Sequence, residues 1–81
     1  MRIEVRYFAA VRDAVGQAAE TLEVPADARL ADLVRALEAR HPALTRHRTG
    51  LRFALGQRFA GLDERLSEGG EVALIPPVSG G

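Results

Sequence analysis

The alternation of apolar and polar residues predicts two strands in the first third of the chain. Residues 2–7 (RIEVRY) alternate strictly, as in a half-buried strand. Residues 19–24 (AETLEV) alternate again until Pro25, which lacks the N–H that a strand ladder needs. Between them, the alanine-rich residues 8–15 (FAAVRDAV) stop at Gly16 and predict a short helical turn. We therefore expect a hairpin whose two strands are joined by that turn.

A helical period then predicts the main helix of the domain. Apolar residues recur three and four positions apart and form a single stripe: Leu30, Leu33, Val34 and Leu37. Charged residues fill the opposite face. We expect Asp27 to be the N-cap residue, and Pro42 to stop the helix just after His41.

The second half of the chain predicts three more strands. Residues 51–55 (LRFAL) and 58–60 (RFA) are joined at Gly56, where a positive φ is permitted. A polar stretch follows, in which two leucines are expected to plug the core: Leu62 and Leu66. Residues 71–75 (EVALI) are apolar on both faces, as expected of a central strand. The predicted order is strand, strand, helix, strand, strand, strand.

A single helix covers only one face of so small a sheet. The other face is either covered by loops or left as an exposed apolar patch for a partner, and the sequence leaves both alternatives open. Phe59, at the end of a short strand, would extend such a patch.

Composition and charge narrow the function classes. A chain of 81 residues forms one domain, too small for a catalytic cleft with its own walls. The formal net charge is zero, which argues against nucleic acid as a partner. Without cysteine there is no disulfide or thiolate chemistry. No signal peptide or membrane-length apolar segment is present in the sequence, so we expect a cytoplasmic protein without membrane contact.

The basic residues, all arginines, are unevenly distributed. No acid occurs between Glu38 and Asp63, whereas five arginines fall at or inside that stretch: Arg40, Arg46, Arg48, Arg52 and Arg58. The stretch is interpreted either as a solvated loop with its neighbours or as a docking surface.

No residues have the spacing of a catalytic or metal site. His41 and His47 lack the further ligands that a metal needs, and each is expected to be structural or solvated. Asp63 and Glu64 are adjacent and would point apart in an extended chain, which does not suit acid and base chemistry. We predict no metal site and no catalysis by the domain alone.

The C-terminal residues 76–81 (PPVSGG) remain as the chemically distinctive segment. Pro76 and Pro77 have fixed φ and no N–H, so they favour an extended path away from the sheet. Gly80 and Gly81 would enter a tunnel too narrow for a Cβ. ATP can convert a terminal carboxylate to an acyl adenylate, and a sulfur donor can then leave a thiocarboxylate. A chance glycine pair, a cloning remnant or a frayed tail are the competing interpretations.

Two stretches resemble a known family. The run GGEVALIPPVSGG after QRFAGLDERLSE, together with RIEVRYFAAVRDAVG near the start, is similar to the small, sulfur-carrying subunits of molybdopterin synthase. The resemblance implies an α+β, β-grasp (ubiquitin-like) fold, with a mixed five-stranded sheet packed against one main helix. It implies a domain over residues 1–75 and a flexible tail over residues 76–81. Gly56 and Arg29 depart from the residues usual in the family at a turn and at a helix start.

The resemblance also implies a chemistry. Gly81 would be adenylated by an E1-like enzyme that uses ATP, and would receive sulfur from a donor protein as a thiocarboxylate. Inside the large synthase subunit, that sulfur would pass to a cyclic pyranopterin precursor of the molybdenum cofactor. The inserted tail would comprise Pro76, Pro77, Val78, Ser79 and Gly80, and the partner-facing residues would be Phe8, Phe59 and Ile75. The chain would bind no cofactor stably and would sit, as two copies, around a large-subunit dimer in a heterotetramer.

Other functions remain open. Related carriers supply sulfur for thiamine or for tRNA thiolation, and some relatives are ubiquitin-like protein modifiers. A non-covalent ubiquitin-fold binding module with an inert terminus is a different class altogether. The end motif and the chain length favour the molybdopterin branch. The chain has no lysine, so it offers no side-chain acceptor for self-conjugation.

Overall fold

The computed structural model describes residues 1–77, and residues 78–81 lie outside the described part of the chain. In chain order the elements are β1 (Arg2–Tyr7), α1 (Ala9–Val15), β2 (Ala19–Glu23), α2 (Leu30–Arg40), a 3₁₀ helix (Pro42–His47), β3 (Arg52–Leu55), β4 (Arg58–Ala60) and β5 (Glu71–Ile75). Each predicted strand is present, and its bounds differ from the prediction by one residue at most.

The five strands form one mixed sheet in the order β2-β1-β5-β3-β4. β1 pairs antiparallel with β2 and parallel with β5, and β3 pairs antiparallel with both β4 and β5. β5 is therefore the central strand, as its two apolar faces predicted. A mixed sheet packed against one main helix is the predicted β-grasp arrangement.

The core lies between the sheet and α2. The apolar stripe of the helix is fully or almost fully buried: Leu30, Leu33, Val34 and Leu37. It packs against the inward residues of β1 and of the central strand β5, which are Ile3, Val5, Tyr7, Val72 and Leu74. Each large apolar side chain buried in this way contributes about 1.5–3 kcal/mol relative to an exposed one. The spacing of apolar residues in the sequence therefore predicted which side of α2 and which side of the sheet are buried.

The start of α2 differs from the prediction. The N-cap residue is Arg29, not Asp27, and the Arg29 N–H donates to Asp32 Oδ2 at 2.8 Å. Two N–H groups of the first turn donate to backbone carbonyls of the segment that precedes β5: Leu30 N–H to Glu64 O at 2.9 Å and Ala31 N–H to Leu62 O at 2.8 Å. A distant segment thus satisfies donors that an N-cap side chain was expected to satisfy.

Two further details were not as predicted. The stretch after α2 was expected to be a loop, but it contains the 3₁₀ helix, which buries Leu44. Leu66 is buried as predicted, whereas Leu62 is 38% exposed. The Leu62 carbonyl is held by the first turn of α2, which leaves its side chain at the surface. Within residues 1–77, no helix is long and apolar enough to cross a membrane.

Candidate docking surface and tail base

The sheet face opposite α2 has a charged half on β1 and β2. Alternation along these strands directs their polar residues to this side, where they pair with one another. Three ion pairs link them: Arg2 with Glu23 at 3.4 Å, Arg6 with Glu4 at 3.0 Å and Arg6 with Glu71 at 2.7 Å. The pair with Glu71 also reaches the start of β5.

The other half of this face is small and apolar. The strand register places Ala73 of β5 opposite Ala54 of β3, and Ala54 opposite Phe59 of β4. Ile75 follows on the same side of β5, two residues after Ala73. Phe8, directly after β1, completes a shallow groove with these four residues, and Gly56, Gln57 and Glu71 also line it. We call Phe8, Ala54, Phe59, Ala73 and Ile75 the apolar groove.

The apolar groove is open to solvent. Phe8 is 44% exposed and Phe59 is 55% exposed. The two alanines form a low floor between the two aromatic rings, because a methyl group fills little of the space above the sheet. Among the alternatives for this face, the structure favours the exposed apolar patch over coverage by loops. The three residues predicted to face a partner, Phe8, Phe59 and Ile75, are brought together here, and their partner-binding role stays a prediction.

Arg52 holds one side of the Phe59 ring. Its guanidinium carbon lies 3.9 Å from the ring centroid. A cation over an exposed aromatic face contributes roughly 0.5–1 kcal/mol. Because Arg52 pairs with Ile75 in the register of β3 and β5, this contact also belongs to the rim of the apolar groove.

Most arginines of the acid-free stretch are neutralised by acids from elsewhere in the chain. Three pairs form: Arg48 with Glu38 at 2.8 Å, Arg58 with Glu64 at 2.9 Å and Arg40 with Glu20 at 3.5 Å. Charges separated along the sequence thus meet in space. The structure therefore favours the solvated interpretation of this stretch over a cationic docking surface.

The base of the tail adjoins the apolar groove. β5 ends at Ile75, a groove residue, and is followed by Pro76, which is half-buried, and Pro77, which is exposed. Neither proline has the N–H that would extend the sheet. The predicted tail and reacting residues Val78, Ser79, Gly80 and Gly81 lie outside the described residues. What the structure places together is therefore the groove and the point where the chain leaves the sheet.

Sequence reasoning missed a polar cluster beside the core. Glu20 of β2 is partly buried, and one of its carboxylate oxygens accepts a hydrogen bond from the Tyr7 hydroxyl at 2.5 Å. His41 Nε2 lies 2.5 Å from the same oxygen. The signal was present in the sequence, because Glu20 shares the inward side of β2 with Leu22. His41 is structural, in line with the prediction, since it joins the end of α2 to the hairpin.

Contacts within the cluster shift the pKa values of Glu20 and Tyr7. Burial raises the pKa of Glu20, but the hydrogen bonds from Tyr7 and His41 and the charge of Arg40 together outweigh it, so the net pKa lies below the ordinary value. Burial and the hydrogen bond to Glu20 raise the pKa of Tyr7 above its ordinary value. The cluster lies away from the apolar groove and serves the fold. In the described part of the chain, no three acidic or histidine residues are placed to hold a metal ion.

Comparison with known proteins matches this chain along almost its whole length. The model of the ThiS family matches residues 5–81. The protein named molybdopterin synthase sulfur carrier subunit in Chlamydomonas reinhardtii is 40% identical over 83 residues, which cover 100% of this chain and 100% of that protein.

Solved structures share the fold. The crystal structure of SAMP1 from Haloferax volcanii has a TM-score of 0.92 and 31% identity, and the match covers 100% of both chains. A chain in the Helicobacter pylori complex of subunits 1 and 2 of molybdopterin-converting factor has a TM-score of 0.72 and 24% identity, again over 100% of both chains. That complex shows a protein of this fold assembled with a second subunit.

Proposed function

Because the chain belongs to the ThiS family, we propose that it is the sulfur carrier subunit of a molybdopterin synthase. The observation that carries the proposal is the full-length 40% identity with a protein of that name. The exposed apolar groove beside the base of the tail supports it, since a carrier must dock on a partner while its terminus reaches a distant site.

The proposed reacting group is the carboxylate of Gly81. As an ion it is a poor electrophile, because attack would have to expel oxide. An E1-like adenylating enzyme would use ATP to form the acyl adenylate and release pyrophosphate. A hydrosulfide equivalent from a sulfur donor protein would then displace AMP and leave a thiocarboxylate. The carrier itself would supply no catalytic side chain and bind no cofactor stably.

The second half of the proposed cycle takes place in the large synthase subunit. The thiocarboxylate sulfur would form a C–S bond to the cyclic pyranopterin precursor while a C–O bond of the precursor breaks and its oxygen leaves with the electron pair. Water would then cleave the acyl–sulfur bond, so that sulfur stays on the pterin and Gly81 regains its carboxylate. Pro76 and Pro77 would direct the tail outward, and Val78 to Gly80 would thread the entrance. Two copies would flank a large-subunit dimer.

A mass measurement tests this function. The chain is incubated with ATP, a sulfur donor and an adenylating enzyme, and its intact mass and C-terminal fragments are recorded. The expected result is the exchange of one oxygen for one sulfur, confined to Gly81. A chain lacking Gly81 should fold normally and take no sulfur, whereas the control variant Thr21→Ala, at an exposed residue outside the tail, should still react. Adding the large subunit and the pterin precursor then tests whether the sulfur is used to make molybdopterin.

A second candidate, a protein modifier, is favoured by one observation. The SAMP1 structure from H. volcanii matches the whole chain at a TM-score of 0.92, and a relative at 32% identity is named small archaeal modifier protein 1. In that case the adenylated Gly81 would acylate lysine amines of other proteins. Peptides carrying Gly81 joined to a lysine would support this candidate, and sulfur transfer to thiamine or tRNA acceptors would support a different carrier branch. If deletion of Gly81 left both sulfur transfer and protein conjugation unaffected, the chain would be a non-covalent binding module.

A further inference from the structure

Gly50 and Pro77 lie against each other at the base of the tail. Gly50 has a φ of +77°, in the left-handed region. A Cβ added to Gly50 would lie 3.1 Å from Pro77 Cγ and 3.6 Å from both Pro77 Cβ and Pro77 Cδ. A side chain at residue 50 would therefore be strained by its backbone and would also push against the proline ring.

The register of β3 and β5 explains why these two residues meet. Arg52 is the partner of Ile75 in this antiparallel pair. Continuing the same register past the end of both strands brings Leu51 opposite Pro76 and Gly50 opposite Pro77. The prolines cannot donate to a continued ladder. The Pro77 ring instead occupies the space next to Gly50 where a side chain at residue 50 would lie.

A turn holds Gly50 in place for this contact. The Leu51 N–H donates to the Arg48 carbonyl at 3.2 Å, which closes a turn with Gly50 as its third residue. A positive φ at that position of a turn favours glycine. Gly16 also has a positive φ, of +87°, but a Cβ there would meet nothing within 4 Å. The close approach to the tail therefore distinguishes Gly50 from a glycine that only serves a turn.

We propose that Gly50 is a positioning residue for the carrier reaction. Its missing side chain lets the Pro77 ring rest on the turn, and this contact sets the direction in which the chain leaves the sheet. The inference rests on the proposed function, because the direction matters only if the tail enters a partner. Gly81 follows Pro77 by four residues, which span at most about 14 Å. A rotation at Pro77 would therefore displace the reacting carboxylate relative to a partner docked on the apolar groove.

The inference predicts that a change at Gly50 affects kcat and KM differently. Docking depends on the apolar groove, which a methyl group on Gly50 leaves untouched. Delivery of the carboxylate depends on the tail base. For Gly50→Ala in the thiocarboxylation assay, with the adenylating enzyme that accepts the wild-type chain, we expect kcat to fall about ten-fold and KM to change less than about two-fold.

Gly16→Ala is the matched control. It places the same methyl group on a glycine with positive φ, at a position where a Cβ would meet no atom within 4 Å, and should lose stability through the same backbone strain as Gly50→Ala. Its kcat should equal that of the wild type. Thermal unfolding of both variants shows that the comparison is made between folded proteins.

A double variant tests whether Gly50 acts through Pro77. Pro77→Ala removes the Cγ and Cδ atoms that the new methyl group would meet. If the contact sets the direction of the tail, adding Gly50→Ala to Pro77→Ala should lower kcat little further. An equal loss on both backgrounds would overturn the inference, as would equal kcat values for Gly50→Ala and Gly16→Ala. If the wild-type chain takes no sulfur at all, the proposed function fails, and the inference fails with it.

Discussion

The two faces of the sheet alternate along the same strands, yet one is sealed and the other is open. On the face toward α2, Ile3, Val5, Val72 and Leu74 are at most 1% exposed. On the opposite face, Phe59 keeps more than half of its surface in water. Both faces contain apolar side chains. The difference is that α2 covers one face, so the apolar residues on the other face stay in contact with solvent unless a partner covers them.

The open face is itself divided into a charged half and an apolar half, and the apolar half lies beside the tail base. Ion pairs cover the half on β1 and β2, which disfavours contact with an apolar surface. The half on β3, β4 and β5 holds the apolar groove. A partner that docks there is brought next to Ile75 and the tail base. The comparison of the two faces therefore separates residues that hold the fold from residues that would hold a partner, and variants on each face test this separation.

The largest expected effect is on the sealed face. Leu37→Ala removes a side chain with no exposed surface from the middle of the core. We expect the free energy of unfolding to fall by about 2–5 kcal/mol, because the cavity cannot be refilled by its neighbours. Urea denaturation measures the loss. The folded fraction should bind the partner with unchanged affinity, and a weakened affinity would mean that the two faces are not independent.

Phe59→Asp should give the opposite pattern. Phe59 is 55% exposed, so its replacement should change stability little. Affinity for the proposed large subunit should fall by about 2 kcal/mol, or roughly thirty-fold, as for a central aromatic residue of an interface. Calorimetric titration measures it. Thr21→Asp is the control, since it adds the same charge to the exposed, polar half of the same face and should bind normally. Equal losses for both variants would contradict a groove-centred interface.

The smallest expected effect concerns Glu20, the acid on the inward side of β2. Its folded pKa lies below the ordinary 4.5, so its contribution to stability is present above about pH 4.5 and is lost as pH falls through the folded pKa. Glu20→Gln should lower the unfolding free energy by about 1–2 kcal/mol at neutral pH and should remove part of the acid-side decline. Unfolding curves at several pH values measure both changes.

Tyr7 gives an internal check on this prediction. Its pKa is raised from 10.0, so its neutral form contributes fully below that pH and the contribution declines above it. Tyr7→Phe should therefore reduce the loss of stability at alkaline pH. It should also reduce the loss of stability at acid pH, because Glu20 loses a hydrogen-bond donor. An unchanged loss of stability at acid pH in both variants would show that the cluster does not set the pH dependence.

Much of the fold could be predicted because it depends on local periods. The stripe of Leu30, Leu33, Val34 and Leu37 specified a helix and its buried side before any partner was known. The two apolar faces of residues 71–75 placed that strand at the centre of the sheet. The resemblance at PPVSGG specified the family. Its chemistry at Gly81 remains a prediction, since residues 78–81 are outside the described structure.

Other features could not be predicted because they depend on residues far apart in the chain. Arg29 begins α2, instead of Asp27, since carbonyls some thirty residues later meet the first helical N–H groups. Leu62 is exposed for the same reason. The polar cluster around Glu20 required the hairpin and the end of α2 to meet.

The sequence by itself determined the five strands, the short helical turn and the main helix, their order and the buried side of the strands and of α2, because side-chain direction repeats every two residues in a strand and about every 3.6 in a helix. Only the tertiary structure decided that Phe8, Phe59 and Ile75 share one groove, and that Gly50 meets Pro77. Those contacts depend on strand order and register, which bring together segments that no local period connects.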